Sequence, residues 1–373
     1  MYIPRLINSR EVDVLIIDEF GSDMVVYCMP ENATFSILPT RNIIPLILKI
    51  SFLFSIFKRL FKMQGIKKTV LFSIIDTLKP KVMITHIDNS QIMSYLHSEF
   101  PDKLTISIQS GWRCESKVSG FPKALGQFFY GFGEYEKKLL IIKKTNFNEY
   151  IAAGSIKYGV YKKYYCTEKK IVDNDICYIS CFVDREKTNI EGLEAQKLDE
   201  KLFLYLVNFC LENNLTVAVA ARGISGSDLY ESERKYYKDL DVHDVAKIIP
   251  RNGVFGSYDL SYHSEIIVNT MSTLGFEMFG GGKKVLFGAS KNDFELARLW
   301  KAVKNFEKLP SYVLLDDLTL DGVAVKLRAL IDMDNKKYLT DTESASVYYM
   351  NHRNGLYLDD LVKKKINEYL VKH

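Results

Sequence analysis

Short apolar runs of strand length recur along this chain, and stretches of helical character separate them. VDVLIID from Val12 ends in an acid and is soon followed by Gly21, the pattern of a buried parallel strand running into a loop. Similar runs stand at Met24 to Met29 (MVVYCM), Lys81 to Thr85 (KVMIT) and Leu104 to Ile108 (LTISI). Helical stretches fall between them at Ile43 to Met63, Thr69 to Leu78 and Ser90 to Phe100. Strand alternating with helix demands a parallel sheet covered on both faces, so the chain is of the α/β class.

The pattern stops and starts again. After FNEYIAAGSI (Phe147 to Ile156) the chain turns polar and rich in Tyr and Lys from Lys157 to Lys170. A second series then runs through Ile176 to Phe182, a helix over Leu193 to Asn213, Leu215 to Arg222, Val245 to Ile249, Ile266 to Val268 and Val285 to Phe287. A length of 373 residues exceeds what one hydrophobic core ordinarily supports. The reading is therefore two Rossmann-like domains, 1–160 and 161–345, and a helical tail, 346–373, in which Leu356 to Val371 is amphipathic and expected to cross back to the first domain. No sequence repeat links the halves.

Composition removes several classes. With 50 Lys and Arg against 46 Asp and Glu, the net charge of +4 is too small for a nucleic-acid footprint. Six scattered cysteines without a CxxC pair indicate neither a zinc site nor a disulfide framework, and the N-terminus lacks a secretory pattern. A cytoplasmic location is expected. GxSxG, HExxH and P-loop motifs are absent, and neither Gly131 to Glu134 nor Gly154 to Gly159 reads as a dinucleotide fingerprint following a strand. The DxD triplets at Asp173, Asp239 and Asp332 follow no apolar strand and read as solvated acids, so no metal and no cofactor is expected.

Ile43 to Met63, IIPLILKISFLFSIFKRLFKM, is too charged to span a bilayer comfortably. Two readings stand: a buried helix whose lysines reach the edge, or an amphipathic helix lying peripherally on the inner face of an anionic membrane.

The segment SYDLSYHSEIIVNTMSTLGFEMFGGGKKVLFGAS (Ser257 to Ser290) carries the most chemistry. A strand ends at Asn269, Ser272 and Thr273 open a helix, and GGG breaks it before another strand. Unpaired N–H groups and the positive end of the helix dipole suit a phosphate there. Glu277 is read as an acceptor for a ribose diol. His263, just before the strand, is read as a phosphate contact or an acid for the leaving nucleotide, and Arg222, ending LTVAVAAR, as a partner for phosphate or a donor carboxylate. The bland alternatives are a helix cap at Ser272, a dipole-offsetting acid at Glu277, a salt bridge at Arg222 and a structural His263.

In the first half, strand ends gather polar residues at one sheet edge. Asp18 and Glu19 follow the first strand, and Asp18, directly at its end, is the preferred general base. Asp88 and Asn89, in ITHIDNS, can grip sugar hydroxyls, or Asp88 can replace Asp18. Gln109, Gly111 and Arg113, in ISIQSGWR, are candidate acceptor or sugar contacts, with Trp112 either stacking on a sugar or packing. Loop and helix capping is the alternative throughout.

VLIIDEFGSD, PKVMITHIDNS, FPDKLTISIQSGWR, FFYGFGEYEKKLL, IAAGSIKYG, LTVAVAARG, the ESERKYY run and VNTMSTLGFEMFGGGKKVLF, in that order and spacing, resemble bacterial surface-carbohydrate biosynthesis proteins over nearly the whole chain. The resemblance implies a GT-B glycosyltransferase of capsule or lipopolysaccharide assembly, with two Rossmann-like domains facing a cleft. Its STLxFE segment is similar to that of transferases handling CMP-linked ulosonic acids and of CDP-polyol phosphotransferases. The expected activity is metal-independent transfer from a nucleotide-sugar donor, a CMP-linked ulosonic or nonulosonic acid foremost, to a glycan or glycolipid acceptor. The alternatives are a CDP-polyol phosphotransferase, a UDP-sugar epimerase and a non-catalytic assembly factor.

Overall fold

The computed structural model describes residues 3–7, 10–41, 43–61, 65–113, 123–167, 174–184, 190–270, 272–288, 306–315, 317–352 and 355–373. The chain divides into two compact units. The first comprises Met1–Gly111, Val118–Val160 and Asn354–His373; the second comprises Trp112–Lys117 and Tyr161–Arg353.

The first unit runs through β1 (Ile3–Leu6), β2 (Val14–Ile17), α1 (Ser22–Val25), β3 (Phe35–Leu38), β4 (Ile43–Leu46), α2 (Ile50–Leu60), α3 (Ile66–Leu78) and β5 (Val82–Thr85). It continues with α4 (Ile92–Glu99), β6 (Leu104–Ile108), β7 (Phe128–Gly131), α5 (Glu134–Ile142), β8 (Glu149–Ala152) and α6 (Ile156–Val160). Six strands form one sheet in the order β3-β2-β5-β6-β7-β8, and every pairing is parallel. β2, β5 and β6 are buried along their whole length, as strands covered on both faces must be. Leu15, Ile17 and Met83 share one core with Phe72, Ile75 and Leu78 of α3 and Met93 and Leu96 of α4. Apart from this sheet, β1 pairs with β4 in parallel.

The second unit contains β9 (Ile176–Ile179), α7 (Ile190–Asn213), β10 (Val217–Ala220), α8 (Asp228–Leu240), β11 (Ala246–Ile249), α9 (Gly256–His263), β12 (Ile266–Asn269), α10 (Thr273–Gly280) and β13 (Lys284–Phe287). α11 (Leu320–Asp332) and α12 (Asn335–Tyr349) complete it. Its sheet is fully parallel in the order β11-β10-β9-β12-β13, the doubly wound order of a Rossmann fold. The last helix, α13 (Leu358–Lys372), belongs to the first unit: it contacts α6, and its Tyr369 hydroxyl donates to the Asp102 carbonyl at 2.8 Å.

Three expectations need correction. Met24 to Met29 is not a strand but α1 followed by a 3-10 turn, Val26–Cys28. Its buried residues, Met24, Val25 and Cys28, follow helical spacing, which a run of six apolar letters conceals. Ile43 to Met63 is not one helix: β4 occupies its start, where Pro45 would leave a helix turn without an N–H, and α2 begins only at Ile50. Lys62 and Met63 lie outside the described residues. The reading of this stretch as a buried helix also fails, because Ile50, Leu53, Phe54 and Phe57 are exposed. Finally, Gly131 to Glu134 does follow a strand, β7, and leads straight into α5; Gly154 likewise follows β8. Neither stretch has a GxGxxG spacing.

Candidate functional site

In an open parallel sheet the strand order reverses direction at one point, and the carboxyl ends of the two strands there flank a crevice suited to ligands. In the first unit that point lies between β2 and β5; in the second it lies between β9 and β12.

At the first unit's reversal, β2 delivers Asp18 and Glu19, and β5 delivers His86, Asp88 and Asn89. Asp18 takes a left-handed backbone, φ 78°, and is buried. Its carboxylate accepts the Phe20 N–H at 2.9 Å, the Thr40 hydroxyl at 2.5 Å and the Arg41 guanidinium at 3.2 Å. Both oxygens thus hold the loop, and Asp18 shapes the turn, from which Glu19 stands exposed. His86 explains Gly21. A Cβ on Gly21 would stand 2.2 Å from the His86 Nδ1, and its φ of 75° already favours glycine. Burial, with help from the charge of Lys157, lowers the His86 pKa to about 3, so its ring is neutral at physiological pH.

Asp88 is buried and accepts the Ser110 hydroxyl at 2.7 Å, while Asn89 is exposed beside it. Gln109 is buried, not open to a sugar. Its amide donates to the Gly111 carbonyl at 3.0 Å and to Glu136 Oε1 at 3.1 Å, and its oxygen accepts the Phe132 N–H at 3.0 Å. Glu136, in the first turn of α5, is a residue that the sequence reading missed. Burial raises its pKa to about 8; the Gln109 hydrogen bond opposes the rise, and the charge of Asp88 adds to it.

In the second unit Ser272 caps α10, its hydroxyl accepting the Leu274 N–H at 3.3 Å. Asn269, at the end of β12, ties the turn from below: its Oδ1 accepts the Ser272 N–H at 2.8 Å, and its Nδ2 donates to the Ser272 carbonyl at 3.4 Å. This crossing needs Gly275, where a Cβ would stand 2.1 Å from Asn269 Nδ2. Thr273 Oγ1 accepts the Trp112 N–H at 3.0 Å. Ser272 and Thr273 are both partly exposed, and no acid in the first turn of α10 offsets the helix dipole.

Trp112 packs instead of awaiting a sugar, stacked on Phe276 at 4.3 Å and near Phe306 at 5.7 Å. Arg113, five residues after the end of β6, is half-buried in the second unit. Arg222, exposed at the end of β10, donates to the Phe182 carbonyl at 2.6 Å, not to an acid. Glu277 is buried, and its carboxylate accepts the Tyr258 hydroxyl at 2.6 Å, which braces α10 on α9. His263 lies in the last turn of α9, ahead of β12. With strands rising about 3.3 Å per residue, it sits at the opposite edge of the sheet from Ser272, roughly 10 Å or more away. It does not join the other candidates.

Beneath the second reversal lies a buried polar network that the sequence reading did not identify. Asp199 of α7 accepts the Tyr178 hydroxyl at 2.6 Å and the Tyr237 hydroxyl at 2.8 Å, with Thr270 at 3.4 Å. Burial nonetheless raises its pKa to about 6. Glu233 of α8 accepts the N–H groups of Arg222 and Gly223 at 2.9 and 3.0 Å and the Ser180 hydroxyl. These carboxylates hold the ends of β9, β10 and β12 in register with one another. Among the described residues no group of three His, Cys, Asp or Glu side chains is placed to hold a metal ion.

Both sheets and their order match a known architecture. Residues 141–301 match a family described as "putative O-antigen biosynthesis protein". The Staphylococcus aureus MnaA structure with UDP aligns with a TM-score of 0.57 at 14% identity, covering 96% of this chain and 95% of that one. UDP-GlcNAc 2-epimerase from Neisseria meningitidis, bound to UDP-GlcNAc, gives 0.52 at 14%, covering 96% and 100%. A glycosyltransferase from Rickettsia africae gives 0.54 at 12%, covering 96% and 98%. The fold is GT-B. The family match bears out the resemblance to surface-carbohydrate biosynthesis proteins. No curated protein sequence matches the chain.

Proposed function

We propose that this chain is a nucleotide-sugar enzyme of surface-glycan assembly, and specifically a glycosyltransferase. One observation carries the reading: a helix N-terminus with two part-exposed hydroxyl residues, its dipole not offset by an acid, stands at the reversal point of a Rossmann-ordered sheet. In this reading the N–H groups opening α10 and the hydroxyls of Ser272 and Thr273 take the nucleotide phosphate, and Arg222 adds charge. Asn89 and Gly111 serve the acceptor in the first unit, and Arg113 serves the sugar in the second. Glu19, exposed next to the loop that Asp18 holds, takes the acceptor proton, and Asp88 positions Ser110. No metal is required if the helix end stabilises the departing phosphate. The favoured donor is a CMP-linked ulosonic acid; a UDP-sugar stands beside it, since neighbours of this fold carry UDP and UDP-GlcNAc.

A second reading, UDP-sugar epimerisation, draws support from Glu136. A buried carboxyl with a pKa of about 8 near an acid of different surroundings suits removal and return of a proton at carbon. Calorimetric titration with CMP, CDP, UDP and GDP tests nucleotide binding. A bound nucleotide at about 100 times its Kd adds roughly 2.7 kcal/mol of stability. Silence from all four, with corresponding sugar nucleotides also inert, sinks both readings. Incubating the protein with the UDP-sugar in D2O without acceptor separates them: epimerisation through proton exchange at carbon leaves deuterium in the nucleotide sugar, whereas a transferase leaves it unlabelled.

A further inference from the structure

α2 keeps a broad apolar face in the open. The side that it turns to the protein is mixed: Phe52 is buried in the core with Ile56 packed beside it, and Arg59, buried, donates two bonds to Asp76, at 2.6 and 2.9 Å, and one to Glu99 at 2.7 Å, while Ser55 donates to Asp76 at 2.6 Å. Arg59 also lies over the rings of Phe72 and Phe100. The other side of the helix is apolar and faces outward. Ile50, Leu53, Phe54, Phe57, Leu60 and Phe61 follow the spacing of one helical face and are each more than half exposed, Ile50 at 86%. Leu48 at 82% and Ile66 at 73% extend the patch past both ends of the helix. The ion pairs anchor the helix in this orientation, so the greasy face cannot roll inward without abandoning three charge-assisted bonds.

The stretch of chain that builds the patch carries charge of one sign, and the acids beside it, Asp76 and Glu99, are paired with Arg59. From Asn32 to Ile75 the sequence contains no Asp or Glu, yet it holds Arg41, Lys49, Lys58, Arg59, Lys62, Lys67 and Lys68. Lys49, Lys58 and Lys67 are exposed. A cavity of about 280 Å³ shares Ile66, Lys67 and Lys68 with the patch; its wall is otherwise largely apolar, and it reaches Thr40, which donates to Asp18. A second copy of the chain is a poor occupant. A two-fold contact pairs a patch with itself and would set these lysines against one another. An anionic surface meets both features at once.

We propose that α2 and the start of α3 form a peripheral docking face for an anionic lipid bilayer, with the outward apolar side chains entering the interface and the rim lysines meeting lipid phosphate. This goes beyond the proposed activity and does not depend on it. The test is co-sedimentation of the full-length protein with two vesicle types, phosphatidylcholine alone and phosphatidylcholine with one third phosphatidylglycerol, at about 0.1 M and about 1 M salt. The wild type is expected to pellet with the anionic vesicles at low salt, with retention falling steeply at high salt. Phe54→Ser with Phe57→Ser, which alters exposed positions only, should cut partitioning at least about tenfold and leave the circular dichroism melt unchanged. Lys58→Glu with Lys67→Glu should cut it about tenfold at low salt and little at high salt. Absence of pelleting with either vesicle overturns the proposal. So does a dimer in ultracentrifugation that Phe54→Ser with Phe57→Ser converts to monomer, and so does equal binding to both vesicle types at both salt levels.

Discussion

Glu136→Gln offers a sharp test of the first unit's polar cluster. Glu136 is buried with a pKa of about 8, against 4.5 for an ordinary glutamate. A carboxyl whose pKa folding raises binds more protons in the native state than in the unfolded one. Its contribution to stability is therefore complete below about pH 4.5 and is lost as pH climbs toward 8. At pH 7 the linkage relation gives a loss of roughly 3 kcal/mol relative to acid conditions. Glutamine keeps the shape and still accepts the Gln109 N–H through its carbonyl, but it has no charge to bury. The variant should exceed wild type by up to about 3 kcal/mol at pH 7, or roughly 6–12 °C in Tm for a unit of this size, and the two should converge in acid. Calorimetric melts from about pH 5 to about pH 9 measure the gap. His86 titrates in the opposite sense: its pKa is depressed to about 3, so its contribution is lost as pH falls below 6.5. Because both proteins contain His86, the difference between them isolates Glu136. A Tm difference that stays constant across the range would refute the burial argument.

Three further outcomes follow from the geometry. Gly275→Ala places a Cβ 2.1 Å from Asn269 Nδ2 and should displace the side chain that ties the Ser272 turn; a loss of about 1–3 kcal/mol in urea unfolding is expected, together with weaker nucleotide protection. Gly21→Ala meets both a left-handed φ and the His86 ring, so it should cost about 2–4 kcal/mol, read from the same urea curves. Arg59→Leu strands Asp76 and Glu99 and should cost about 3 kcal/mol, and Arg59→Lys should recover only part of that loss, because a point ammonium cannot reproduce the two-pronged bond to Asp76.

Most of the strands that the sequence revealed have continuous apolar letters; β11, with Lys247 exposed, is the exception. β2, β5, β6, β9, β10, β12 and β13 are buried on both faces, and their periodicity needs no partner to be seen. β3 and β7 were missed for a physical reason. β3 is an edge strand, FSIL, with Phe35 exposed, and β7, FFYG, merges with the glycines that follow it. α2 was seen as apolar and basic, but which face turned inward depended on Asp76 and Glu99, far along the chain, and only contact decides that.

Candidate residues were legible where polar letters sit at strand ends and illegible where they rise from helices. Asp18, Asp88, Asn269 and Ser272 stood out as candidates because a polar letter closing an apolar run is conspicuous. Glu136, Asp199 and Glu233 looked like ordinary helical acids, yet each carried a local sign. Glu136 shares its face with Leu139 and Leu140, Asp199 with Leu202, Phe203 and Leu206, and Glu233 with Tyr230 and Tyr237, all buried. A carboxylate three or four residues from the large buried side chains of an amphipathic helix must enter the interior with them. Burial of that kind persists only where donors await it, and here the donors are the hydroxyls, amide and N–H groups gathered around the strand ends. The acids on helices therefore point back to the same sheet edges that the strand-end residues mark.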